Sequence, residues 1–132
     1  ILKDKHEQNW KYILFAKTNY EGQELEDFTI RGQHIGMAWR TDIATQIGEP
    51  YTVEIPPSEK FGYKFWERRA NGLKLSFGEG KTDVVFFPVH LKSNRNENKD
   101  DKDWTKKHRA AEAKAFVEQL STIKSHFKDE DI

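Results

Sequence analysis

The chain has 132 residues, in which 22 lysines and arginines balance 22 aspartates and glutamates, so the formal net charge is zero at pH 7. This balance excludes a protein-wide basic field for binding nucleic acid, and the absence of cysteine excludes disulfides, thiolate zinc sites and cysteine nucleophiles. A hydrophobic fraction of 36% with four tryptophans suffices for the core of one domain, and no apolar stretch approaches the ~20 residues that a membrane span needs.

Three segments in the first half of the chain have patterns typical of β-strands. Residues 10–17 are rich in β-forming side chains, and residues 51–55 alternate in polarity between two prolines, which favours a short edge strand. In residues 34–43, large apolar side chains recur at every second position with Gly36 and Ala38 opposite them. This alternation predicts a central strand that packs closely on its small side.

A hairpin is predicted in the second half. Asn71 and Gly72 form a typical turn pair before a strand at residues 73–77, and a second turn at residues 78–80 leads into residues 82–93. The last segment is a nearly continuous apolar run, which is typical of a strand buried on both faces. This strand would carry His90 from the interior of a sheet to its edge.

A polar loop at residues 94–103 and a long helix complete the chain. The helix is expected from about Asp103, a plausible N-cap, to Phe127, because apolar residues recur there at spacings of three and four. The stripe consists of Ala113, Phe116, Leu120, Ile123 and Phe127. Strands followed by a helix that covers a sheet predict an α+β fold, with a single domain whose core spans residues 10–127.

His90 is the leading candidate for a functional residue. Sites on open sheets form where strands end, and a pKa near neutrality suits an imidazole for proton transfer or for binding phosphate. A histidine that is hydrogen-bonded to backbone at a sheet edge explains the same position without a function. The sequence pattern leaves both interpretations open.

Cationic and polar residues near His90 have two interpretations as well. Arg68 and Arg69 precede the strand that pairs with the His90 segment, and a guanidinium suits phosphate oxygens, although a surface salt bridge is commoner. Residues 92–95 offer further donors, or are a solvated run of polar groups. In the helix, Arg109 and Glu112 are expected to pair with each other or with neighbouring lysines.

Two segments together resemble the endonuclease/exonuclease/phosphatase superfamily. They are VVFFPVHLKS at residues 84–93 and RAAEAKAFVEQL at residues 109–120. Upstream, RGQHIGMAWRTD and ERRANGLKLSF look like two further strands of that family, so the resemblance covers roughly residues 10–127. It implies a four-layer α/β sandwich of two packed, mostly antiparallel sheets. The implied activity is magnesium-dependent hydrolysis of phosphodiesters or phosphomonoesters, with nucleic acid among the candidate substrates.

The resemblance also implies roles for individual residues. The family's catalytic histidine corresponds to His90, which would contact the scissile phosphate and help to stabilise or protonate it. The family's phosphate-binding arginine corresponds best to Arg69, with Ser93 and Asn94 as lesser donors to the phosphate. These four residues are the predicted site.

Several motifs of the family do not occur in this sequence. They are the early strand that ends in asparagine, the metal-binding glutamate, the Gly-Asp-x-Asn strand and the terminal Asp-His pair. Because Mg²⁺ needs hard carboxylate oxygens, its ligands would lie outside this chain. We therefore expect the chain to be the middle of such a domain and to be inactive, or nearly so, by itself. The alternative is a non-catalytic binding module that uses an exposed sheet edge or the polar loop at residues 94–103.

Overall fold

The fold places its strands first and its helices last, which confirms the predicted α+β class. The computed structural model describes residues 9–15, 17–18, 24–25, 34–62, 65–93, 95 and 98–127. The elements are β1 (Trp10–Phe15), β2 (Lys17–Thr18), β3 (Glu24–Leu25), β4 (Ile35–Arg40), β5 (Thr45–Thr52), β6 (Asn71–Ser76), β7 (Val84–Phe86), α1 (Trp104–Glu118) and α2 (Leu120–His126).

All strand pairs in the described residues are antiparallel. β1 pairs with β4, β2 pairs with β3, and a three-stranded sheet has the order β5-β6-β7. The predicted hairpin between β6 and β7 is confirmed, and its turn uses Gly78 and Gly80 at φ values of 111° and 75°, which glycine adopts without steric cost.

Strand β6 separates two apolar cores. On one face, Leu73 and Leu75 pack with Trp39 and Ala44 from the β1-β4 side of the molecule. The other core, which we call the helix-side core, joins the three-stranded sheet to the helices. Its buried members are Val53, Trp66, Ala70, Ile123 and Phe127. The helices, the three-stranded sheet and the two-stranded β1-β4 sheet therefore form successive layers in that order.

The predicted strand at residues 82–93 is wrong in length and in burial. β7 covers only Val84–Phe86, lies at the edge of its sheet, and leaves Val84 and Phe86 each 38% exposed. Pro88 accounts for the early end, because proline has no N–H to donate to a strand ladder. His90 thus lies on an extended segment beyond β7, and the segment makes no strand ladder there.

Two other strand predictions need correction. Asn71 and Gly72 are not a turn but the first residues of β6, where they pair with Thr52 and Tyr51. The asparagine is satisfied in the strand because its side chain accepts a hydrogen bond from Thr52 Oγ1 at 2.6 Å and donates to the Arg69 carbonyl at 3.1 Å. Of the predicted edge strand at residues 51–55, only Tyr51 and Thr52 belong to a strand, the longer β5, which does lie at a sheet edge.

The segment predicted as a central strand is β4. Within the described part of the chain, β4 pairs with β1 alone, and its small residues Gly36 and Ala38 are exposed. The local reason for glycine is nevertheless a close approach, since a Cβ at Gly36 would lie 2.8 Å from Leu14 Cδ2 across the ladder. The large face was predicted correctly, because Trp39 is buried and Met37 packs beside it.

The predicted single helix is divided in two at Gln119, whose N–H donates to the Phe116 carbonyl at 2.9 Å. Asp103 occupies the N-cap position, but its side chain makes no capping hydrogen bond. None of the described helices is both long and apolar enough to cross a membrane.

The buried face of the helices is only partly the predicted apolar stripe. Ile123 and Phe127 are buried, whereas Ala113 and Leu120 are exposed. In the first half of the face the buried side chains are polar, namely Thr105, His108 and Glu112. The first half of this face therefore places polar groups in the interior, where the apolar pattern of the sequence is weakest.

Candidate functional site

Glu112 joins three separate segments of the chain. Its carboxylate is buried, with 1% of the residue exposed, and Oε2 accepts the backbone N–H of Trp66 at 2.9 Å. Oε1 accepts the backbone N–H of Lys92 at 2.8 Å. We call this arrangement the Glu112 clamp, because one side chain on α1 holds both the loop at residues 65–70 and the extended segment at residues 87–93.

Trp66 is fastened to α1 by a second hydrogen bond. Its indole Nε1–H donates to the Glu112 backbone carbonyl at 3.0 Å, and its ring packs against Phe116. Trp66 has φ of +50°, a left-handed conformation that costs a bulky residue about 1–3 kcal/mol. The two hydrogen bonds to Glu112 offset that cost and fix the loop in this conformation.

Aromatic rings surround the neighbouring histidine. His108 is fully buried, and its Nε2 lies 3.6 Å from Glu112 Oε1. The ring of Phe61 stacks on the imidazole at 4.4 Å between centroids, and Trp104 meets it edge-on at 4.9 Å. The imidazole beside the clamp therefore lies in an aromatic environment.

The clamp carboxyl has a perturbed acidity. Burial raises the pKa of Glu112, while the amides of Lys92 and Trp66 and the charges of Arg68 and Lys92 oppose the shift. Desolvation is the largest of these effects. The two amide hydrogen bonds offset part of this desolvation cost and connect the helix to both segments.

The charge of Arg68, which lies on the loop that the clamp holds, acts on His90. Burial lowers the pKa of His90, and the positive charge of Arg68 lowers it further. Arg68 Nε is buried and has no hydrogen-bond partner among the described residues. Arg68 thus combines a buried N–H that has no acceptor among the described residues with a charge that disfavours protonation of His90.

Lys92 adds a second cation, after Arg68, to this region. Its Nζ donates to Ser93 Oγ at 3.1 Å and to the Arg95 carbonyl at 3.3 Å, and it lies 5.9 Å from the ring centroid of Trp104. The backbone of Lys92 is held by Glu112 while its side chain reaches the surface. Positive charge is therefore concentrated at the segment that follows His90.

The four predicted site residues have different outcomes. His90 is half-buried beside Arg68, and Ser93 is exposed beside Lys92 Nζ. Arg69 is half-buried, with its carbonyl bonded to Asn71, whereas the arginine whose charge acts on His90 is Arg68. Asn94 lies outside the described residues. The roles of all four remain predictions.

Sequence reasoning missed the importance of Glu112, which was expected to pair with Arg109 or with lysines. Its two carboxylate oxygens instead accept backbone amides. The available signal was positional, because His108, Glu112 and Phe116 follow each other at intervals of four and so share one helix face. Reading that face as continuous would have placed Glu112 in the interior.

The described residues do not fit a magnesium ion. They contain no group of three or more histidines, aspartates or glutamates that could hold a metal. Glu112 is a poor ligand candidate because both of its oxygens already accept amides in a buried setting.

Comparison with known proteins leaves the functional argument to this geometry. No known family, no curated protein and no solved structure matches the chain. The resemblance to the endonuclease/exonuclease/phosphatase superfamily remains a prediction from motifs.

Proposed function

We propose that this chain supplies the phosphate-contacting part of a phosphoric ester hydrolase of the endonuclease/exonuclease/phosphatase type. His90 and an arginine of the residue 65–70 loop would bind the phosphate. The observation that carries the proposal is the buried Nε of Arg68, which has no hydrogen-bond partner among the described residues and belongs to the arginine whose charge acts on His90. The fold expected for that family, a four-layer sandwich, belongs to the same proposal.

An anion would satisfy the unpaired donor and act on the neighbouring imidazole. The positive charge of Arg68 disfavours the protonated form of His90. A buried donor without an acceptor costs about 1–3 kcal/mol. A phosphate oxygen would accept from Arg68 Nε and at the same time favour the protonated form of His90. Binding of phosphate would therefore remove the cost of the unpaired donor and raise the pKa of His90.

Within this proposal His90 acts as a phosphate-contacting acid or stabilises the charge that develops in the transition state. Ser93, at the end of the same segment, is a lesser donor. Because the described residues do not fit magnesium, we assign them no step that depends on it. We expect the chain by itself to bind phosphate esters with little or no turnover.

The test is an NMR titration of the histidine rings with inorganic phosphate and, separately, with dimethyl phosphate at constant ionic strength. We expect either anion to raise the pKa of His90. His126, which stacks on Tyr51 at 3.9 Å between centroids, serves as the internal control that should not move. A His90 pKa that is indifferent to both anions would contradict the proposal.

Two neighbouring arginines give a matched pair of variants. We expect Arg68→Gln to abolish the response of His90 to phosphate and Arg69→Gln to preserve it. The opposite result would restore Arg69 as the phosphate ligand that the family resemblance implies. If His90 still responds to phosphate in both variants, neither Arg68 nor Arg69 takes part in binding.

A second candidate is the non-catalytic binding module, which the exposed edge strand favours. Val84, Phe86 and Val89 are all exposed, and within the described residues β7 has a partner on one side only. An extended peptide that adds to β7 would bind through main-chain hydrogen bonds. This candidate predicts that phosphate leaves His90 unaffected, so the same titration distinguishes the two functions.

A further inference from the structure

We infer that Glu112 is the positioning residue of the His90–Arg68 pair, because its carboxylate holds one backbone amide on each of the two segments that carry these side chains. The inference rests on the proposed function for its link to phosphate. It assigns a role to a buried helix residue that touches neither phosphate nor solvent.

The register of the two hydrogen bonds supports this role. Trp66, bonded to Oε2 at 2.9 Å, lies two residues before Arg68, and Lys92, bonded to Oε1 at 2.8 Å, lies two residues after His90. Arg68 and His90 are therefore each within two residues of an anchored amide. Because both anchors are oxygens of one carboxylate, the spacing between the two segments is set by a single rigid group.

The chemistry of the clamp requires a carboxylate in particular. Both partners are N–H donors, and an ionised carboxylate presents two acceptor oxygens with no donor. Glutamine has one acceptor oxygen and one NH₂ group, so in the same place it would bond one amide and present a donor to the other. Glu112→Gln therefore releases one segment while it keeps the size of the side chain.

A purely structural role would have a different signature. If Glu112 served only the stability of the fold, its replacement would lower the free energy of unfolding without changing the relation between His90 and Arg68. The positioning role predicts instead that the His90 titration changes in a protein that is still folded. Burial and the charge of Arg68 are the causes that lower the pKa of His90, so a rise in that pKa reports that the arrangement has relaxed.

The experiment compares Glu112→Gln with two controls by NMR. Glu118→Gln makes the same chemical change at an exposed position of α1, and Ile123→Val weakens the helix-side core without touching the clamp. We expect Glu112→Gln alone to shift the amide resonance of Trp66 or Lys92 and to raise the His90 pKa. We also expect it to weaken inorganic phosphate binding about tenfold, as loss of one charge-assisted hydrogen bond would.

The outcomes separate this inference from the proposed function. If the wild type binds phosphate and Glu112→Gln binds it equally well with an unchanged His90 pKa, the positioning role is overturned and the proposed function stands. If the wild type binds no phosphate, the proposed function fails, and the His90 pKa in Glu112→Gln still decides the positioning role.

A measurement on the wild type covers the case in which Glu112→Gln does not fold. The Cδ chemical shift of Glu112 follows the ionisation of the Glu112 carboxyl group. The titratable or charged side chains near this group are His108, Arg68 and Lys92. We expect the amide resonances of Trp66 and Lys92 to titrate together with that Cδ resonance. Amides that titrate with different midpoints, or not at all, would overturn the inference.

Discussion

Trp66 and Glu112 are hydrogen-bonded to each other twice, through different parts of each residue. The backbone N–H of Trp66 donates to the Glu112 carboxylate at 2.9 Å, and the indole N–H of Trp66 donates to the Glu112 backbone carbonyl at 3.0 Å. Each residue therefore contributes one main-chain group and one side-chain group, and the two hydrogen bonds together hold the loop against the helix.

Replacement of Trp66 by phenylalanine tests the indole bond separately from the amide bond. We expect Trp66→Phe to lower the free energy of unfolding by about 0.5–1.5 kcal/mol, because one buried hydrogen bond is lost while the aromatic packing is largely kept. Urea denaturation measures the change. Trp10→Phe is the control, since Trp10 is 38% exposed and should change stability little. Equal effects of the two substitutions would contradict the importance of the indole bond.

Burial of His90 and the charge of Arg68 should together make the stability of the protein depend on pH. Because the pKa of His90 is lowered in the folded state, the unfolded chain binds more protons between that lowered pKa and the ordinary value of 6.5. The contribution of His90 to the free energy of unfolding therefore rises with pH through this window. We expect Arg68→Gln to raise the pKa of His90 and to flatten that rise, while Arg69→Gln leaves it unchanged. Denaturation at a series of pH values checks this difference.

The contribution of Glu112 to the free energy of unfolding should fall, rather than rise, as the pH increases. Its pKa is raised from 4.5 in the folded state, so above 4.5 the folded chain binds more protons than the unfolded chain until the raised pKa is passed. Its contribution to stability is complete below 4.5 and is lost as the pH rises through the raised pKa. We expect Glu112→Gln to remove this loss relative to Glu118→Gln, as measured by urea denaturation across the same pH range. Parallel pH profiles of the two variants would refute it.

Gly72 should be essential for the placement of the His90 segment. A Cβ at this strand position would collide with the ring of Phe87, which packs edge-on against Phe116 and Phe127 in the helix-side core. We expect Gly72→Ala to cost about 1–3 kcal/mol by overpacking and to shift the His90 resonances. Phe87→Leu in the same chain should recover part of the loss. A double-mutant cycle of unfolding free energies measures the coupling, and strict additivity would exclude the collision.

The features that the sequence determined by itself are those encoded by neighbouring residues. The turn of the β6-β7 hairpin follows from glycines that adopt positive φ, and the face of Leu73 and Leu75 follows from alternation over a few positions. The position of His90 after an apolar run is also a local property. Pro88 was a local signal too, and giving it more weight would have ended the predicted strand at the correct place.

The tertiary structure alone decided which polar groups meet. The partners of Glu112 are backbone amides of Trp66 and Lys92, and a backbone amide is the same at every non-proline position, so no side-chain pattern marks it. That the charge of Arg68 rather than Arg69 acts on His90 is likewise not marked by any pattern in the sequence. Helical periodicity specifies which residues share a face, but the segment that lies opposite that face is selected only when the layers pack.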